Sequence, residues 1–206
     1  MAVAAAAVLL LGGCGSGSGS GSEPAAKPVD TLQARQAKTA LPDKSSLPGW
    51  TQVGARRVDT DVYMCQVVAG DACKGVVATG TANFVRGPKR TDKWLRYSFN
   101  VYSCRTEDHA RRMYEALPDY AARPGSKKIS SLGDESAASS DVLKGEHPLV
   151  SFHDKVRVGR TVIWTYAMGT EKAVTGERAE MAAKLQADRV QQAHRGLKPT
   201  AHVDVP

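Results

Sequence analysis

The chain has 206 residues, 21.9 kDa, 42% hydrophobic and 24% charged side chains, and a formal net charge of +7 with a pI near 9.3. That composition belongs to a globular domain: four cysteines are too few for a disulfide-dense mini-protein, and no run of eighteen apolar residues marks a polytopic membrane chain. No catalytic signature stands out, so no enzyme class is indicated.

Residues 1–13 (MAVAAAAVLLLGG) are apolar and uncharged, the length of a secretory apolar region and too short to span a bilayer as a helix. Leu11-Gly12-Gly13-Cys14 resembles the bacterial lipoprotein lipobox. The resemblance implies cleavage before Cys14 and a diacylglycerol, with its palmitate-type acyl chains, on the Cys14 sulfur. No Lys or Arg precedes the apolar run, a departure that points to a translation start a few codons upstream. Cleavage leaves 193 residues with the charge unchanged. Gly15 to Ser22 (GSGSGSGS) is flexible coil, and residues 23–46 are polar with no sustained apolar periodicity, so 14–46 is expected to be a tether reaching about 30 Å. A helix over Thr31 to Ala40 would be poorly amphipathic.

Residues 47–206 suffice for one domain. Val53 to Val68 is expected to supply one or two strands, and Gly75 to Arg86 another, joined to the next by the turn Gly87 to Lys93. In Trp94 to Cys104, Leu95, Tyr97, Phe99 and Val101 point one way and Trp94, Arg96, Ser98, Asn100 and Tyr102 the other, as a half-buried strand requires. Thr106 caps a helix over Thr106 to Ala122 that carries Ala110, Met113, Tyr114 and Leu117, with Pro118 ending or kinking it. Leu149 to Met168 reads as a hairpin about Gly159-Arg160, which pairs Val156 with Ile163, Asp154 with Thr165, Lys155 with Trp164 and His153 with Tyr166. Thr175 caps a helix over Gly176 to Arg195 whose shallow face is mostly alanine. The order predicts an α+β fold, an antiparallel sheet with two helices packed on one face.

After lipidation Cys65, Cys73 and Cys104 remain, and only one intramolecular pair can form. Cys65 with Cys73 is favoured because the loop is short; chain entropy alone assigns about 2.5 kcal/mol to it and about 4 to the alternative, Cys65 with Cys104. Cys104 is then either a small buried residue or an intermolecular or redox thiol.

The outward strand faces combine aromatic and basic groups: Trp94, Arg96 and Tyr102 in one region, His153, Lys155, Arg157, Trp164 and Tyr166 in the other. Of these, Trp94, Arg96, Tyr102, Lys155, Arg157, Trp164 and Tyr166 are the candidate ligand-binding residues, for an anionic or glycan-bearing envelope component held by stacking and charge. The bland alternative is a sheet face half-solvated or covered by a helix. Arg86 to Arg96 carries five basic residues and one acid, which suits phospholipid headgroups or wall polymers; export removes nucleic acid as a partner. An enzyme with a noncontiguous active site is the competing class. Adjacent Asp134 and Glu135 should point to opposite faces of an extended segment and so be poorly placed to share one substrate, and the five histidines show no metal-ligand spacing. No cofactor or metal is expected, and the default oligomeric state is a monomer.

The lipobox, the Gly-Ser stretch, Leu47-Pro48-Gly49-Trp50, Gly133-Asp134-Glu135 and Arg157-Val158-Gly159 together resemble small actinobacterial cell-surface lipoproteins. Their domain is similar to the extracellular sensor domain of some mycobacterial serine/threonine kinases, in which cysteines are usually paired; the odd mature cysteine count departs from that. The resemblance implies a binding or sensing module, not a reaction, on the outer face of the cytoplasmic membrane.

Overall fold

The structure, a computed structural model, describes residues 27–89, 91–118, 132–144 and 148–203. Its centre is one antiparallel sheet. The long strands are β3 (Val76–Arg86), β4 (Leu95–Cys104), β5 (Glu135–Leu143), β6 (Leu149–Val158) and β7 (Thr161–Gly169). Two short ones, β1 (Thr51–Gln52) and β2 (Arg57–Asp59), both pair with β3, and the order is β1-β3-β4-β7-β6-β5. Four helices, α1 (Ala34–Ala40), α2 (Tyr63–Ala69), α3 (Glu107–Ala116) and α4 (Gly176–His194), complete the described residues, with a 3-10 segment, Gly70–Gly75, between α2 and β3.

The β6–β7 hairpin has the expected register, Val156 opposite Ile163, Asp154 opposite Thr165, Lys155 opposite Trp164 and His153 opposite Tyr166. A two-residue loop forces it, and Gly159 (φ +54°) supplies the positive φ that the turn needs. Thr106 and Thr175 cap α3 and α4 by accepting from His109 N and Arg178 N, as their sequences require.

Alternation sends side chains of neighbouring strand positions to opposite faces, and each face builds its own core. On one, Phe84, Tyr97, Phe99, Val101, Val156 and Ile163 pack beneath α1 and α4, whose alanines allow close approach. Trp50 stacks on Tyr97 with ring centroids 4.4 Å apart. On the other, Tyr102, Cys104, Val162 and Val76 meet Ala110, Met113 and Leu117 of the α3 segment and the disulfide Cys65–Cys73. The α+β class stands, but α3 and α4 lie on opposite faces: Val162 belongs to one core and Ile163 to the other, so the two helices cannot share a side.

Three further expectations change. Residues 29–46 do not serve as tether, because Leu32, Ala37, Ala40 and Leu41 are fully buried in the core beneath α4. The guanidinium of Arg189 locks this segment down, donating to the carbonyls of Thr39 (3.0 Å), Leu41 (3.2 Å) and Ala40 (3.3 Å), the orphan acceptors at the end of α1. Second, residues 53–68 supply one of the one or two strands expected there, β2, while Tyr63 to Val68 enters helix α2 in place of a second. Third, β5 (ESAASSDVL) carries little β-propensity and is absent from the sequence-based expectation; it forms because nine consecutive positions pair with β6. Residues 1–26, and the part of the expected α3 helix beyond 118, lie outside the described residues. No helix among the described residues is long and apolar enough to cross a membrane.

Candidate functional site

On the face away from α4, the registers of β3, β4, β7, β6 and β5 align side chains in rows across the sheet. One row runs Thr81, Asn100, Trp164, Lys155, Ala137; the next, Asn83, Ser98, Tyr166, His153, Ser139; the next, Val85, Arg96, Met168, Ser151, Asp141. Helix α3 covers the end of this face around Tyr102 and Val162. Beyond it the described residues leave a groove of about 380 Å³ lined by Ser98, Asn100, Asp141, Leu143, Ser151, His153, Trp164 and Tyr166. That volume falls in the range of small-ligand pockets.

Aromatic rings form the floor. His153 lies between Trp164, 6.0 Å away and nearly parallel, and Tyr166 at 4.7 Å. Its Nε2 meets Ser151 Oγ at 3.2 Å. Burial among these rings lowers the imidazole pKa to about 4, against the opposing pull of Asp141, so His153 is neutral at pH 7. Asn100 is fixed from both sides, accepting from Thr81 Oγ1 (3.1 Å) and donating to the Trp164 carbonyl (3.1 Å). The lining therefore offers flat apolar rings, two serine hydroxyls and one carboxylate.

Comparison with known proteins adds the fold. No family model matches the chain, and no curated protein matches it. Among solved structures, the extracellular domain of PknH from Mycobacterium tuberculosis is similar, with a TM-score of 0.50 and 12% identity over 81% of this chain and 98% of that one. What is shared is the architecture.

The groove gathers two of the seven residues expected to bind ligand, Trp164 and Tyr166. Tyr102 is buried under α3, its phenol pushed up to about 12 by desolvation. Lys155 is buried too, its Nζ 4.9 Å over the ring of Tyr114. Arg157 is engaged elsewhere: Nε donates to Glu135 Oε1 (2.7 Å), and Nη1 to Asp134 Oδ2 (3.0 Å) and the Gly159 carbonyl (3.1 Å). Arg96 flanks the groove and donates to Asn83 Oδ1 (3.1 Å), while Trp94 precedes β4 and does not line it. The basic segment 86–96 forms the β3–β4 connection, with Arg90 outside the described residues.

Asp134 and Glu135, expected to diverge, converge on one guanidinium. Strand alternation fails there because Asp134 precedes β5 and follows Gly133, whose φ of +68° turns the chain. A Cβ at Gly133 would lie 2.3 Å from the Arg157 carbonyl, so the turn admits only glycine. Among the described residues no three His, Cys, Asp or Glu cluster as metal ligands. Cys104 is buried and reduced, its thiol pushed up to about 12 by burial, which makes a redox role chemically poor.

Sequence reasoning missed Ser98, Asn100, Asp141, Leu143 and Ser151. The signal for Ser98 and Asn100 was present, since both share the outward face of β4 with Arg96. Asp141 and Leu143 could not be found without recognising β5. A second depression of about 570 Å³ lies between the 3-10 segment and α3, and three of its four charged lining residues are paired: Lys74 with Asp71 (3.2 Å), and Arg112 with Asp108 (2.6 Å).

Proposed function

We propose that the chain is an extracytoplasmic binding module, lipid-anchored through Cys14 on the outer face of the cytoplasmic membrane, and that its groove holds an uncharged glycan. The lipobox-like residues 11–14 support the anchor, and the architecture shared with an extracellular domain supports the location. The lining of the groove carries the ligand class. Of the three strand cations that would have drawn an anion, Lys155 and Arg157 are buried and engaged, Arg96 at the flank is held by Asn83, and His153 is neutral. The remaining carboxylate, hydroxyls and flat rings fit a hydroxyl-rich, neutral sugar, which stacks its C–H face on aromatics and shares hydrogen bonds with Ser, Asn and Asp. Of the two ligand chemistries anticipated, the glycan is favoured over the anionic polymer.

The test is tryptophan fluorescence titration with neutral oligosaccharides, mannotriose and chitotriose among them, against a polyanionic competitor such as a teichoic-acid fragment. A neutral sugar should perturb the emission of the wild type, and Trp164→Ala should abolish the binding. Tight, salt-sensitive binding of the polyanion alone would reverse the assignment.

A further inference from the structure

We propose that helix α2 seats against the surface of the bilayer that holds the lipid anchor, an inference resting on the lipidation of Cys14 proposed above. Helix α2 reads YMCQVVA, with no charge and one polar side chain, Gln66. Cys65 and Val68 turn inward to the second core, whereas Tyr63, Met64 and Val67 are 64%, 65% and 65% exposed. Spaced i, i+1 and i+4, these three share one helix face. The disulfide Cys65–Cys73 ties α2 to the 3-10 segment and holds that face outward. Single exposed apolar side chains are ordinary; three contiguous ones on a stapled helix mark a contact surface.

Position selects the occupant. The chain enters the fold at the end of the sheet where β4 finishes: Val29 N donates to the His194 carbonyl (2.7 Å), Thr31 Oγ1 to the Cys104 carbonyl (3.3 Å), and Asp30 pairs with Arg160 (3.7 Å). Val76 pairs with Cys104, so the α2 and 3-10 unit leading into β3 stands at this same end. Cys14 is thirteen residues from Lys27, which limits the anchor to about 45 Å of chain from the fold. That short leash keeps lipid at high local concentration beside α2, so a weak contact is populated. Three side chains fall far short of the roughly 800 Å² per partner that a stable protein interface takes. They suit the boundary between headgroups and acyl chains, where a tyrosine buries its ring and keeps its hydroxyl wet. The charges nearest α2 in the chain, Asp59, Asp61, Asp71 and Lys74, offer no basic patch to anionic headgroups, so the seat is apolar and insensitive to salt.

The experiment uses the full lipidated protein in vesicles of phosphatidylglycerol and phosphatidylcholine with or without brominated acyl chains. Tyr63→Trp should add emission over the wild-type tryptophans that brominated lipid quenches at least twofold, at low and high salt alike. Leu143→Trp, exposed at the opposite end of the sheet, should add emission that is not quenched. As a second readout, the amides of residues 66–69 should exchange more slowly in vesicles than in detergent. If intact mass shows acylated Cys14 and the protein floats with vesicles, but the emission added by Tyr63→Trp is no more quenched than that added by Leu143→Trp, the docking is wrong and the anchor stands. If Cys14 carries no lipid and the protein does not float, the anchor fails and the docking with it.

Discussion

Asp154 and His153 are neighbours on β6 that face opposite sides of the sheet, and their titrations should push stability in opposite directions. Asp154 is buried beneath α4, its Oδ2 has no hydrogen-bond partner among the described residues, and neither has the hydroxyl of Thr165 opposite it. Desolvation, reinforced by Glu180, raises the carboxyl pKa from 3.8 to about 7. The folded protein therefore keeps this proton up to about pH 7, while the unfolded chain releases it near 3.8. Stability from this group is full below pH 3.8 and falls as pH rises to about 7; at about 1.4 kcal/mol per pH unit the loss is at most about 4 kcal/mol. His153 has the opposite sign. Its pKa falls from 6.5 to about 4, so the unfolded chain binds more protons across that interval and stability rises with pH. At about 1.4 kcal/mol per pH unit the gain is at most about 3 kcal/mol. Urea denaturation at half-unit steps from about pH 4 to 8 should show a small net decline for the wild type, about 1 kcal/mol. Asp154→Asn should convert the decline into a rise between about pH 4 and 6.5, and His153→Gln should steepen it. A profile for Asp154→Asn that still falls from about pH 4 to 7 would refute the reasoning, because the decline is assigned to the Asp154 carboxyl alone.

Arg157→Ala leaves the partly exposed Asp134 and Glu135 without their shared cation and should destabilise the domain by about 1–2 kcal/mol in urea denaturation, with Arg157→Lys recovering little because it cannot reproduce the forked geometry. The paired change Cys65→Ser and Cys73→Ser opens an eight-residue loop and should lower the unfolding free energy by about 2.5 kcal/mol, read the same way. Cys104 should resist iodoacetamide at about pH 8 in the native protein and react once urea unfolds it, as mass spectrometry of the alkylated chain can show. A chain shortened to begin at Leu47 should fail to give a cooperative thermal transition, since it lacks Leu32, Ala37, Ala40 and Leu41 and leaves the buried guanidinium of Arg189 with the Ala201 carbonyl but without those of Thr39, Ala40 and Leu41.

Local chemistry was enough for the elements that carry it. Strand β4 alternates from Leu95 to Val101, the β6–β7 register follows from counting outward from Gly159-Arg160, and Thr106 and Thr175 announce their helices; each depends on residues within a few positions of one another. The Cys65–Cys73 pair is legible for the same reason, a short loop. What escaped the sequence depends on distant partners. Residues 29–46 look like linker because their apolar side chains, Leu32, Ala37, Ala40 and Leu41, are too few and, for the alanines, too small to sustain an amphipathic stripe; only α4, some 150 residues on, supplies the surface that buries them and the arginine that caps them. Strand β5 is Ala- and Ser-rich and becomes a strand only because β6 offers its edge. The groove depends on both kinds of information. Alternation alone placed Trp164 and Tyr166 outward, but whether an outward residue reaches solvent, a helix or a counter-ion was decided by where α3 came to rest and by the turn at Gly133. Those two features buried Tyr102, occupied Arg157 and, among the described residues, left the groove beside His153.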